Sequence, residues 1–319
     1  MPKLPKANFG TLDEVLEHKA EGSNPLPQVH SGGVYQYTTI AGAHGIIKSN
    51  TLWASHSLCL NDPTEREYGW NLIRETFKKN EPAGQSGYAY SQIEHILKNP
   101  EGWYPESYVA SASLDSDSLT QFRLYGPVEL ALHGGQWETV SRDRVRDDQA
   151  PVIGGYPQLP VGKGEWRKVC YDTDEAIDLC QEMLATVAAY IDSHTAPRYK
   201  GYNPLAAFMA LEYLALHIKN PDFRVENEVR LVITENATPD TVEVREINGK
   251  LIPYVEARPV PKFQEVPEDI VQKILLGPGS GEFARNKNAL IAHMARNTRS
   301  LADTYNPVSI NQSLKQLRG

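Results

Sequence analysis

Cysteine is scarce in this 319-residue chain: Cys59, Cys170 and Cys180 are the only three, at spacings that match no zinc motif. So low and odd a count fits a reducing compartment and excludes a disulfide framework, and all three are read as buried thiols. Long apolar runs are missing too; none approaches the ~20 residues needed to cross a bilayer, and mean hydropathy is −0.46. No membrane-spanning helix is therefore expected. Met1-Pro2-Lys3-Leu4-Pro5-Lys6 leads into a polar run from Thr11 to Ser23 instead of the apolar core of a secretory signal, so the expected location is cytoplasmic. The nine histidines are scattered, with no H-E-x-x-H and no closely paired His/Cys set, so no metal site is expected. A G-x-S-x-G elbow is absent, which leaves Ser111 and Ser113 without a base visible in the sequence. Basic residues are outnumbered, 32 Lys+Arg against 40 Asp+Glu, for a net charge of −8. That balance disfavours nonspecific attraction to phosphate polymers and leaves nucleic acid only as a specific substrate.

What is present suits a globular enzyme or binding domain. Hydrophobic residues make up 40% and charged ones 23%, enough to bury a core without covalent or metal staples. Residues 1–30 read as an N-terminal appendage, because Thr11 and Glu14 form a capping box ahead of Val15 and Leu16 and Gly22-Ser23-Asn24-Pro25-Leu26-Pro27 then breaks the chain. Residues 31–296 read as a single α+β domain of catalytic type, and 297–319 as a tail. Val34-Tyr35-Gln36-Tyr37-Thr38 alternates like a strand, Thr39 can cap a helix bearing Ile46 and Ile47, and Thr51-Leu52-Trp53-Ala54-Ser55 resumes an extended pattern. Asn61-Asp62-Pro63-Thr64 supplies a turn and cap for a helix over Glu65 to Lys79. Further strands are expected at Tyr108–Ser113, Val128–Leu132, Val229–Ile233, Thr241–Val244, Ile252–Val255 and Ile274–Leu276, and long helices over Ile177–Ile191 and Leu205–Ile218. The stretch near 138–165, charged and then Pro/Gly-rich, reads as a surface insertion. A helix from Glu282 to Arg296 should follow the Gly277-Pro278-Gly279-Ser280-Gly281 loop, which reads as a strand-to-helix turn that could also hold an anion.

The chemistry concentrates at Glu226-Asn227-Glu228. Residues two apart on a strand share a face, so two carboxylates would converge on one site. Such a pair is either a solvated strand start with Arg224 and Arg230 as counter-ions, or a costly arrangement retained for catalysis. Gln121, Arg123 and Tyr125 alternate on what reads as an extended segment. Trp53, Tyr35 and Tyr37 are core aromatics or stacking platforms for a base.

Tyr35-Gln36-Tyr37-Thr38-Thr39, Leu52-Trp53-Ala54-Ser55, Leu60-Asn61-Asp62-Pro63-Thr64-Glu65, Ser111-Ala112-Ser113 with Asp117 to Gly126, Lys168-Val169-Cys170-Tyr171, Lys219-Asn220-Pro221-Asp222-Phe223 with Glu226 to Leu231, and Ile274 to Pro278 occur in that order. This arrangement, over about residues 34–280, resembles the bacterial family catalogued as domain of unknown function 2971. More distantly, an opening Tyr-x-x-Thr strand, a Ser-x-Ser strand and a late Glu-x-Glu strand resemble the ADP-ribosyltransferases. That resemblance implies an α+β, ADP-ribosyltransferase-like core of two small β-sheets with surrounding helices. It also implies NAD as substrate and transfer of ADP-ribose to a protein or nucleic-acid target, as in a bacterial toxin or phage-defence effector.

On this resemblance Glu228 is the catalytic glutamate with Glu226 beside it. Tyr35, Gln36, Tyr37, Thr38, Ser111, Ser113 and Arg123 bind the cofactor, Arg123 as a bidentate clamp on the diphosphate. Asn61, Asp62, Gln121 and Tyr125 face the substrate. Gln36 stands where the family's first motif carries histidine. Two rival readings are a noncatalytic nucleotide-binding sensor and a metal-dependent phosphodiester enzyme using Asp62, Glu65, Glu226 and Glu228.

Overall fold

The computed structural model describes residues 12–60, 62–80, 87–100, 103, 107–140, 162–194, 203–234, 241–247, 249–260, 269–278, 285–290 and 309–315. Asn61, most of the 138–165 segment and the second half of the Gly277–Gly281 loop lie outside these residues.

A strand-helix-strand unit opens the fold: β1 (Val34–Thr38), α2 (Ile40–Ser49) and β2 (Leu52–His56). The Thr39 side chain accepts from the Gly42 N–H and starts α2, and Asn50 in the left-handed conformation (φ 51°) ends it. Asp62 caps α3 (Pro63–Lys79) with proline in the first turn. Helix α3 packs with α4 (Gly87–Lys98), α6 (Thr173–Ser193), α7 (Pro204–Ala215) and short α1 (Leu12–Leu16) around Trp70, Ile73, Ile93, Met183 and Phe208. Helix α7 is buried around its whole circumference, which explains its nearly uniform apolar sequence. The crossing of α3 and α7 is so close that a Cβ on Gly69 would overlap the Ala215 carbonyl. Gly69→Ala is therefore expected to lower stability by about 1–3 kcal/mol, the range for overpacking a tight core; an unchanged urea midpoint would show that the helices can part.

Strands β3 (Ser107–Ser113), β2, β9 (Lys250–Pro259), β5 (Gln136–Thr139), β6 (Lys163–Lys168) and β7 (Glu228–Thr234) pair in that order, and β7 pairs back to β3. Every pairing is antiparallel, so they form a closed six-stranded barrel. Trp137 of β5 and Trp166 of β6, both fully buried, meet edge to face at 5.9 Å among Leu231, Val255 and Ala257. From β3 a second ribbon leaves through one residue pair, Tyr35↔Ser113, and continues from β1 to β4 (Val128–Leu132), β10 (Val271–Leu276) and β11 (Ser309–Gln312). Strand β8 (Val242–Ile247) pairs with β9 from outside the ring.

The barrel overturns the expectation of an ADP-ribosyltransferase-like core of two small sheets. Closure is made by β5 and β6, the two ends of the segment read as a surface insertion. There the barrel-filling tryptophans sit among charged residues that hide the strand pattern. The segment before residue 31 is also bound into the fold: Val15 and Leu26 are buried, and Lys168 N–H donates to Gln28 O.

Side chains on β3 and β7 alternate between two surroundings. Ala110, Ala112, Val229, Leu231 and Ile233 face the barrel interior. Val109 and Val232 turn outward into the helical core, which puts Ser111, Ser113, Glu228 and Arg230 on that same outer face.

Candidate active site

A cavity of about 390 Å³ lies where this outer face meets β1, α2, the start of α3 and the segment after α7. Its floor is an ion cluster organised by Lys219, whose side chain is 2% exposed. The Nζ donates to Glu65 Oε1 (2.8 Å), Glu226 Oε2 (2.8 Å) and Glu228 Oε2 (3.0 Å), which occupies all three ammonium protons. Arg230 donates Nε to Glu228 Oε1 (2.7 Å), Nη2 to Glu65 Oε2 (2.5 Å) and Glu228 Oε2 (3.1 Å), and Nη1 to Leu216 O (2.7 Å). Three carboxylates thus face two cations, and one negative charge is left over at the cavity floor.

Burial pushes the Glu228 carboxyl up, but Arg230, Lys219 and the Ser111 hydroxyl outweigh it and hold the group at about 2. Burial also pulls Lys219 down, yet the surrounding carboxylates overcome this and raise it above its usual value. The ammonium is therefore a fixed charge and no base. Tyr125 is pushed up to about 12, by burial first and the Glu226 charge second, so its hydroxyl keeps its proton and reaches Glu226 Oε2 at 3.4 Å.

Glu226 and Glu228 do not converge by strand alternation. Glu226 ends a 3₁₀ turn, Pro221–Glu226, and Asn227 takes the left-handed conformation (φ 42°, ψ 53°) before β7 begins at Glu228. Asn227 tolerates this backbone and anchors it by donating Nδ2 to Asp115 Oδ1 (2.9 Å). The Glu226 carbonyl accepts from the Ser113 hydroxyl and from Gln121 Nε2, both at 2.9 Å. Ser113 and Gln121 therefore hold the Glu226 backbone in place. Glu228 has both oxygens engaged, whereas Glu226 Oε1 has no hydrogen-bond partner among the described residues.

Of the residues singled out in the sequence, Tyr35, Gln36, Tyr37, Thr38, Asp62, Ser111, Ser113, Gln121, Tyr125, Glu226 and Glu228 all border this cavity. Their roles differ. The Tyr37 ring packs edge to face on Phe122, and its hydroxyl lies 2.8 Å from Glu129 Oε2 while accepting from Ser118 N–H. Tyr37 therefore orders the Asp115–Ser118 turn. Gln36 donates Nε2 to Tyr37 O, and its Oε1 is buried without a partner among the described residues. Asp62 caps α3 and hydrogen bonds from Thr64 hold its carboxyl below the usual range.

Arg123 lies elsewhere. The segment read as extended is a helix, α5 (Leu119–Tyr125), capped by Ser118. Helical spacing puts Gln121 and Tyr125 on one face, towards the cavity, and turns Arg123 out to solvent. It does not border the cavity, so the assigned diphosphate clamp has no place there.

Lys219, the organising cation, was not singled out from the sequence. Its signal is a lysine directly after an apolar helix, ahead of Asn-Pro, where burial forces it to find acids. Arg245 and Trp53, which also border the cavity, carry no local signal that pairs them.

Beneath the cluster, His217 is fully buried, with Nδ1 2.8 Å from Tyr213 O. Burial, with Arg230 and Arg167 nearby, lowers it from 6.5 to about 3. Below pH 6.5 the unfolded chain then takes up a proton that the folded chain refuses, so stability should fall by up to about 1.4 kcal/mol per pH unit on this account. Glu228 adds a second loss between its ordinary 4.5 and about 2, where the folded carboxylate stays ionised and the unfolded one does not. Urea titrations of wild type and His217→Gln from pH 7 to 4 should diverge below pH 6.5, the variant losing less; parallel curves would exclude His217 as the titrating group.

None of the protein-family models, curated proteins or solved structures compared with this chain matches it.

Proposed function

We propose that the cavity binds NAD and cleaves its nicotinamide glycosidic bond, delivering ADP-ribose to a nucleophile on a protein or nucleic-acid target. The observation that carries this reading is the Lys219-organised carboxylate cluster. It fixes ionised carboxylates at the floor of an aromatic-walled cavity and leaves one oxygen, Glu226 Oε1, unoccupied. When the C1′–N bond breaks, its electron pair goes to nicotinamide, which leaves neutral, and positive charge develops on the ribose. A preorganised carboxylate stabilises that charge without reorganising. The acceptor attacks C1′ and its proton passes to Glu226. Tyr35 and Trp53 supply faces on which planar rings can stack. Glu228, locked by Arg230, contributes charge rather than contact.

The metal-dependent phosphodiester reading loses support here, because the Lys219 ammonium stands where the carboxylates converge and a cation would have to displace it. A noncatalytic binding pocket is favoured by one observation, the saturation of Lys219 and of both Glu228 oxygens. Following nicotinamide release from NAD with purified protein separates the two: release supports cleavage, binding without release supports the sensor, and neither binding nor release removes NAD.

A further inference from the structure

Arg245 of β8 borders the same cavity and projects across β9 towards β2. Its guanidinium lies 5.3 Å from the Trp53 ring centre and 5.5 Å from that of Tyr254, and Nη2 donates to Ser55 Oγ at 2.8 Å. Lys219 and Arg230, which also border the cavity, are both paired with its carboxylates, Lys219 with three and Arg230 with two. Arg245 is different. Among the described residues no acid pairs with it, and its Nε is buried without a partner. A half-buried guanidinium resting against two rings that pack on each other 4.7 Å apart, with a donor left over, is poorly solvated and preorganised, a state that an incoming oxyanion relieves.

We infer that Arg245, backed by Trp53 and Ser55, forms an anion subsite of this cavity that takes the phosphate groups of a nucleotide. This rests on the nucleotide reading above and extends it. A cavity that holds a carboxylate cluster with a surplus negative charge and, on other strands, a guanidinium with no acid partner among the described residues suits a ligand carrying a cation and a diphosphate, as NAD does. It also moves the phosphate clamp from Arg123, which faces solvent, to a residue on a different strand.

Calorimetry on the full chain with ADP-ribose, pyrophosphate and nicotinamide riboside tests the inference. Arg245→Met keeps an unbranched apolar side chain and removes the charge. Affinity for ADP-ribose and pyrophosphate should fall about tenfold or more, the scale of one charge-assisted hydrogen bond, while that for the phosphate-free riboside stays within about twofold. Arg245→Lys, which keeps the charge but not the fork, should retain an intermediate affinity and guards against misreading a folding defect. Equal pyrophosphate and ADP-ribose affinities in wild type and Arg245→Met would overturn the subsite, as would a wild type that binds neither. Pyrophosphate binding that depends on Arg245, without any binding or cleavage of NAD, would keep the subsite and remove the NAD reading. NAD cleavage with the same KM in both proteins would do the reverse.

Discussion

Lys219→Met should destabilise the protein by about 3–5 kcal/mol at pH 7, the cost of removing one partner from a buried ion network. Methionine matches the length of the stem, so the loss reflects charge: Glu65, Glu226 and Glu228 would face one another with Arg230 as the one cation left beside them among the described residues. Because the deficit comes from uncompensated carboxylates, it should shrink as pH falls through the carboxylate range and those groups take up protons. Adding Glu226→Gln to Lys219→Met should recover part of the stability even at pH 7, since it removes one stranded charge. Denaturant titrations at pH 7 and 4.5 read both effects. A deficit that does not change with pH would mean that Lys219 acts through packing, and the electrostatic account of the floor would fall.

The second large effect separates the two glutamates. Glu226→Gln should lower kcat for nicotinamide release by about 10²-fold with little change in NAD affinity, as expected when a charge acts mainly on the transition state. Its melting temperature should stay close to wild type, because only Oε2 is tied to Lys219 and the backbone is held by Ser113 and Gln121. Glu228→Gln should behave differently. Arg230 donates two of its hydrogen bonds to this carboxylate in a buried setting, so stability should fall by about 3 kcal/mol alongside any loss of activity. If Glu228→Gln is stable and inactive while Glu226→Gln is active, the assignment of contact to Glu226 and fixed charge to Glu228 is inverted.

Local signals in this sequence were legible where one residue decides one turn. Thr39 and Asp62 cap helices with their own side chains, and the patterns at Val34–Thr38, Tyr108–Ser113 and Val128–Leu132 give strands. Barrel closure was not legible. It depends on β5–β9 and β3–β7 pairings between residues more than a hundred positions apart, and nothing local specifies them. The site was legible in its residue types, since the serines, glutamines and paired glutamates border one cavity. Its geometry was hidden. Asn227 breaks the strand that would have aligned Glu226 with Glu228, α5 turns Arg123 away, and Lys219 joins the acids only through the packing of α7. Arg245 escaped notice because its partners, Trp53 and Tyr254, come from two strands brought together by the barrel.

A crystal structure with a non-cleavable NAD analogue tests the central claim most directly. The nicotinamide ribose should lie against Glu226 Oε1 above the Lys219 cluster, with the diphosphate on Arg245. An analogue bound elsewhere on the molecule, or one seated in the cavity with its diphosphate against the carboxylates, would contradict the account.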